Sequence, residues 1–330
     1  MKKLGRILAL LLGVVVLVVA AGLTYVKLAL PNVGPPPDLT LRPDSAQIAH
    51  GKYLAHHVAL CVDCHSTRDW AKVGGPMMAN TMGKGGEAFP PELGFPGHFY
   101  APNITPAGLK DWTDGEIYRT ITTGVSRDGR ALFPVMPYLN YAQCDPQDMK
   151  DIIAYIRTIA PIENAVPKSE PDFPMNFILN TIPHPTEGGK RPDPADEVAY
   201  GKYLITMASC GDCHTPVDDK AQPLAGMDYA GGREFMMPTG TVRAMNITPD
   251  PTGIKAMTRD AFIARFKGHE KADPIAVQGS DDFNSVMPWS MYAGMTEQDL
   301  GAIYAYLLTV KPVKNKVERF TPKSKMVAMK

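Results

Sequence analysis

The stretch ALCVDCHSTRDW, residues 59–70, sets two cysteines three positions apart and follows the second directly with a histidine; SCGDCHTP, residues 209–216, does so again. Cys61 and Cys64 lie one helical turn apart, a spacing that lets two thiols add to the two vinyl groups of a haem while His65 brings its imidazole under the iron as an axial ligand. Cys210, Cys213 and His214 repeat the arrangement. Three other readings share parts of the pattern. A redox dithiol also uses C-x-x-C but accompanies a βαβ pattern, which this sequence lacks. One four-cysteine zinc site drawn from both pairs leaves the two histidines without a role. A disulfide in an exported chain is the third. The duplication, with the histidine kept each time, favours covalent haem at both places.

Working outward, the whole body is written twice. HGKYLAHHVALCVDCHST at 50–67 returns as YGKYLITMASCGDCHTP at 200–216, NITP at 103–106 returns at 246–249, and VMP at 135–137 returns at 286–288. QDMKDIIAYIRTIAP at 147–161 lines up with QDLGAIYAYLLTVKP at 298–312. Two copies of this size form a duplicated domain rather than a solenoid. In each, a helix leads into the first cysteine; in the second copy it is expected to start at Asp193, with Pro194 in the first helical position. A middle helix follows DWTDG, with Ile117, Tyr118 and Ile121 apolar, and its partner runs from Ala261 to Phe266. The last helix starts at Asp145 and buries Met149, Ile152, Ile153, Ile156 and Ile159; its counterpart starts at Thr296 and buries Leu300, Ile303, Tyr304 and Leu307. Strand signals are few, so the expected class is all-α with long loops. The 31 prolines and 29 glycines agree with that.

Ahead of the repeats, Lys2, Lys3 and Arg6 precede an uncharged apolar run from Ile7 to Leu23. It reads as a signal anchor or a signal peptide, its length favouring the uncleaved anchor. Positive charge on its N-terminal side sends everything that follows across the membrane. PNVGPPPDLTLRP, residues 31–43, makes a semi-rigid stalk. A formal net charge of zero gives no reason to expect nucleic acid as a partner. The expected divisions are an anchor at 1–30, a stalk at 31–44, a first domain at 45–162, a connector at 163–194 draped over both domains, a second domain at 195–315 and a tail at 316–330.

Each iron needs a second axial ligand, and the 18 methionines are mostly packing residues. Met136 and Met287 stand apart: they hold equivalent places in the two copies, each precedes a proline that stiffens its loop, and each comes shortly before the last helix. Met77, Met78, Met236 and Met237 pair more loosely between copies. Cys144 is the odd cysteine, a free thiol or a thiolate ligand in place of Met136. His56, His57, His98, His184 and His269 have no equivalents in the other copy and read as packing or surface residues. Asn103 and Asn246 of the NITP loops either bond a haem propionate or turn the chain.

On the CxxCH helix, the NITP loop, the tryptophan-threonine start of the middle helix and the Met-Pro loop, the sequence resembles the repeating domain of the multihaem cytochrome c subunits of bacterial membrane-associated alcohol, gluconate and aldehyde dehydrogenases. The resemblance covers nearly all of residues 45–315, though those subunits carry three such domains and this chain two. It implies tandem cytochrome c-like domains with two covalently bound haem c groups. Cys61, Cys64, Cys210 and Cys213 would be the attachment points, and His65, Met136, His214 and Met287 the axial ligands. The expected role is one-electron transfer between a respiratory donor, a dehydrogenase or quinol-oxidising complex, and an acceptor such as a terminal oxidase. The expected place is the extracytoplasmic face of a bacterial cytoplasmic membrane. The alternative is a dihaem enzyme of peroxidase or thiosulfate-oxidising type with one reactive haem.

Overall fold

The computed structural model describes residues 2–219 and 221–328. It begins with a 27-residue helix, α1 (Lys2–Leu28), which is long and apolar enough to cross a membrane and buries none of its residues. The first repeat follows with α2 (Ser45–Tyr53), α3 (Cys61–Cys64), strands β1 (Ala88–Phe89) and β2 (Gly97–Tyr100), α4 (Pro106–Leu109), α5 (Asp114–Thr123), α6 (Tyr138–Tyr141) and α7 (Pro146–Ile156). The connector contributes β3 (Glu170–Pro171) and α8 (Met175–Ile178). The second repeat holds α9 (Glu197–Met207), α10 (Cys210–His214), β4 (Glu234–Met237), β5 (Gly240–Arg243), α11 (Arg259–Lys267), α12 (Trp289–Tyr292) and α13 (Glu297–Leu307), and β6 (Phe320–Pro322) and α14 (Lys323–Ala328) close the chain.

The long helices follow the patterns that predict them. Asp145 caps α7 by accepting from the Gln147 amide, Pro146 fills the first position, and Met149, Ile152, Ile153, Ile156 and Ile159 are all buried. Thr296 caps α13, whose Leu300, Ile303 and Leu307 are buried and whose Tyr304 is half-buried. Thr113 and Glu116 form a reciprocal capping box at the start of α5. The helix of the second repeat starts later than expected. Asp196 is its cap, while Asp193 closes a separate turn by accepting from the Ala195 and Asp196 amides. Aspartate is able to do either, and the DPAD stretch uses one for each task.

In each half the helix before the cysteines crosses the last helix, α2 on α7 and α9 on α13, at a contact that admits no side chain. A Cβ on Gly51 would stand 1.8 Å from the Asp151 carbonyl oxygen, and one on Gly201 1.9 Å from that of Ala302. The first copy has one residue more between this glycine and its first cysteine than the second. The chain absorbs it by winding Leu54–Val58 as a π-helix, with the Ala59 amide bonded five residues back to Leu54, the usual trace of a single inserted residue.

One feature corrects the expectations. The protein is mostly helical but not all-α: β1, β2 and β3 form one antiparallel sheet, and β4, β5 and β6 another. Strands of two to four residues are too short to show alternation, and they are assembled from distant segments. Within segment 316–330, Phe320 pairs with Val242 and Thr321 with Thr241; residues 329 and 330 lie outside the described part. The connector, for its part, is fastened to the first half. Glu170 pairs with His98, the Gly189 amide with the Cys144 carbonyl, and Arg191 with Asp145 and Asp148.

The two halves meet through the same surface. The Tyr53 hydroxyl donates to the Asp299 carboxylate and accepts from the Thr296 amide at 3.1 Å. The Tyr203 hydroxyl donates to the equivalent carboxylate, Asp148, and accepts from the equivalent amide, Asp145, at 3.0 Å. Residue i thus meets j where j meets i, the signature of an isologous two-fold contact, here built within one chain. Hydrogen bonds to a buried carboxylate are worth about 1.5–3 kcal/mol each, so two of them pin the halves in one orientation.

Candidate haem-binding cavity

The pinned halves enclose one continuous cavity of about 1300 Å³. Cys61, Cys64, His65 and Met136 line it from the first half, and Cys210, Cys213, His214 and Met287 from the second, so all eight residues singled out by the sequence face one space. That volume exceeds the range of about 300–1,000 Å³ usual for a single small-molecule site. Its remaining walls are largely apolar, with Phe99, Leu132 and Val135 on one side and Ile254, Leu300 and Ile303 on the other.

Each CxxCH turn is reached through a sharp bend. Leu60 and Ser209, the residues before the first cysteines, both take the left-handed conformation at φ 55°, ψ 30°. That costs an L-residue about 1–2 kcal/mol, and its recurrence at both sites marks a turn held in place by its surroundings. Two tyrosines do the holding: Tyr141 donates to the Ala59 carbonyl and Tyr292 to that of Ala208, both at 2.7 Å. These tyrosines end α6 and α12, whose first residues directly follow Met136-Pro137 and Met287-Pro288. Each methionine loop is thereby tied to the bend that carries the cysteines.

The histidines are oriented in one way at both places. His65 Nδ1 donates to the Pro102 carbonyl and His214 Nδ1 to the Met245 carbonyl, each at 2.7 Å. A carbonyl only accepts, so Nδ1 carries the proton and Nε2 keeps its lone pair, the tautomer an iron ligand needs. Burial lowers both imidazole pKa values and so favours the neutral ring. Burial also pushes the thiols of Cys61, Cys64 and Cys210 up to about 12 and that of Cys213 up to about 11, the reverse of the depressed thiol a redox dithiol uses.

The NITP asparagines hold the loops that carry those carbonyls. Asn103 Oδ1 accepts from the Thr105 amide and hydroxyl while its Nδ2 donates to the Ile162 carbonyl; Asn246 does the same with Thr248 and Val313. Their side chains are spent on turning and tethering the loop. Asn246→Ala removes these bonds, with those to Thr252 Oγ1 and the Asn315 carbonyl, at a buried position and is expected to destabilise the chain by about 2–3 kcal/mol, read by urea unfolding; a change under about 0.5 kcal/mol would contradict that tethering role. Sequence reading missed the orienting carbonyls of Pro102 and Met245, although their position one residue before each NITP is a usable signal.

The remaining candidates, His269 apart, are not among the residues that line the cavity. Cys144 is buried in the core, donates to the Asn140 carbonyl, and has its thiol pushed up to about 12, which opposes a thiolate ligand. Met236 and Met237 lie on β4, paired with Thr241 and Gly240, and Met78 is exposed. His56 meets the Tyr155 hydroxyl, His57 donates to the Met291 carbonyl across the two halves, and His269, stacked on Trp289, lines the cavity with it. His50, Asp148 and Asp151 cluster closely enough for a metal, but Arg191 stands 2.7 Å from Asp148 and 3.2 Å from His50 Nε2 and supplies the positive charge there.

Residues 198–311 match the family model described as cytochrome c. The chain carries a cytochrome c domain. Such a domain implies covalently bound haem c, and Cys210, Cys213 and His214 on the cavity wall fit it by donor set, tautomer and apolar surroundings. The chain is 29% identical over 289 residues to the cytochrome c subunit of a quinone-dependent alcohol dehydrogenase from Komagataeibacter europaeus, covering 82% of this chain and 57% of that subunit. It is 27% identical over 282 residues to the gluconate 2-dehydrogenase cytochrome c subunit of Pantoea cypripedii, covering 80% and 59%. A dihaem c-type cytochrome of Cereibacter sphaeroides is 32% identical over 203 residues, 57% of this chain and 63% of that one. The resemblance read from the motifs therefore holds, and the chain spans less than two thirds of the length of these relatives.

Proposed function

We propose that the chain is a membrane-anchored dihaem cytochrome c that relays single electrons between a dehydrogenase or quinol-oxidising donor and a redox acceptor outside the cytoplasm. The observation that carries this reading is the pair of equivalent constellations on one cavity, each with two cysteines, a histidine fixed as the Nε2 donor and a Met-Pro loop tied to the same bend. Haem c, when bound, supplies the one-electron chemistry of its iron. Cys61 and Cys64 in the first half, and Cys210 and Cys213 in the second, would anchor it. His65 with Met136, and His214 with Met287, would fill both axial positions and leave no open coordination site for a substrate.

The protein's own contribution is rigidity and exclusion of water. The Tyr53–Asp299 and Tyr203–Asp148 contacts fix the two halves, and apolar walls keep the cavity of low polarity. The relatives that serve alcohol and gluconate dehydrogenases support a dehydrogenase-type donor, and the length of α1 supports the anchor. The test is a spectroscopic redox titration of the purified full chain in detergent. Two low-spin, one-electron centres are expected; a high-spin or thiolate-bound centre would instead support the dihaem enzyme.

A further inference from the structure

The last turn of α1 does not leave the body of the protein freely. The Val26 carbonyl accepts from Asn180 Nδ2 at 3.3 Å, Lys27 Nζ reaches the Asn176 carbonyl at 3.5 Å, and its ammonium lies 5.3 Å from the centre of the Phe177 ring. Phe177 in turn meets Phe173 edge to face at 6.2 Å. The connector segment DFPMNFILN, residues 172–180, is thus fastened against the end of the helix. It nevertheless leaves Phe173 77% and Ile178 43% exposed, next to a Leu28 that is 81% exposed.

We propose that this segment is a second membrane contact, with Phe173 and Ile178 seated in the interfacial zone of the bilayer beside the exit of α1. The inference rests on reading α1 as a membrane span. At about 1.5 Å per residue, the uncharged run Ile7–Leu23 takes up most of a hydrocarbon core about 30 Å thick, which puts Tyr25 to Leu28 at the headgroup level. Phe173 and Ile178 are tied to that same level. An exposed aromatic, an exposed aliphatic, a tyrosine and a lysine are the side chains that the bilayer interface accommodates, the lysine with its stem along apolar surface and its ammonium turned toward polar groups. A lipid interface fits better than a protein partner because the segment is tied directly to the last turn of α1, the helix read as the membrane span.

The consequence is an orientation. Lys27, Asn176, Leu179 and Asn180 also line the cavity, so seating this segment in the interface turns the first half of the cavity toward the membrane and carries the second half away from it.

The full holoprotein, reconstituted in phosphatidylcholine vesicles that carry a photoactivatable diazirine on the acyl chain near the headgroup, tests the idea by peptide mass spectrometry. The peptide holding residues 173–178 is expected to take up about tenfold more label than the one holding exposed Leu224 in the second half. Phe173→Ser with Ile178→Ser should bring it down to the Leu224 level while α1 stays labelled. Labelling of α1 with none above the Leu224 level at 173–178 would overturn the second contact and leave the anchor standing. An unlabelled α1 would overturn both.

Discussion

Met136→Ala and Met287→Ala are each expected to remove half of the methionine-to-iron charge-transfer absorption of the oxidised protein and to lower the reduction potential of one centre only. Among the methionines, these two sit in loops of the same build: each lines the cavity, each precedes a proline, and each is tied through Tyr141 or Tyr292 to the bend before the cysteines. Thioether ligation raises a haem potential, so its loss moves the affected centre down. The fall should be on the order of 0.1 V, a modest part of the roughly 0.8 V spanned by changes of axial ligand. Met236→Ala, on an exposed face of β4, is the control and should leave both centres as they are. An intact absorption band in both variants would remove the two methionines from the iron.

Gly201→Ala is expected to destabilise the second half by about 3 kcal/mol or more, at the upper end of overpacking penalties. The new methyl would stand 1.9 Å from the oxygen and 2.4 Å from the carbon of the Ala302 carbonyl. That carbonyl belongs to the backbone of α13 and has no rotamer to change. The helices must separate, and Tyr203, which holds Asp148 of the other half from the same helix, moves with them. By calorimetry the unfolding midpoint should fall by about 10 °C, taking about 2–4 °C per kcal/mol. Gly51→Ala meets the Asp151 carbonyl at 1.8 Å and should behave alike, whereas Gly13→Ala, with nothing within 4 Å, should have no such effect. A Gly201→Ala protein as stable as the parent would mean that α9 and α13 do not cross so closely.

Much of this was legible in the sequence because duplication supplies its own control. The cysteines, histidines and Met-Pro loops could be picked out since each appears twice in register, and the last helices could be bounded from their caps and apolar spacing. Pieces that depend on distant segments were not legible. Sheet β4–β5–β6 needs Phe320 beside Val242, and no local pattern announces it. The roles of Tyr53 and Tyr203 arise only when the two halves meet, although a tyrosine kept in both GKYL segments was a visible hint. The asparagines of NITP could be read as ligand contacts or as turn formers, and only their bonds to Ile162 and Val313 decide for the turn.

The central claim, two covalent haems held one in each half, is tested most directly by the intact mass and haemochrome absorbance of the purified chain beside its cysteine variants. Two haems are expected per chain, and one each in the Cys61→Ala, Cys64→Ala double variant and the Cys210→Ala, Cys213→Ala double variant. A single haem in the parent protein, or a double variant that keeps both, would contradict it.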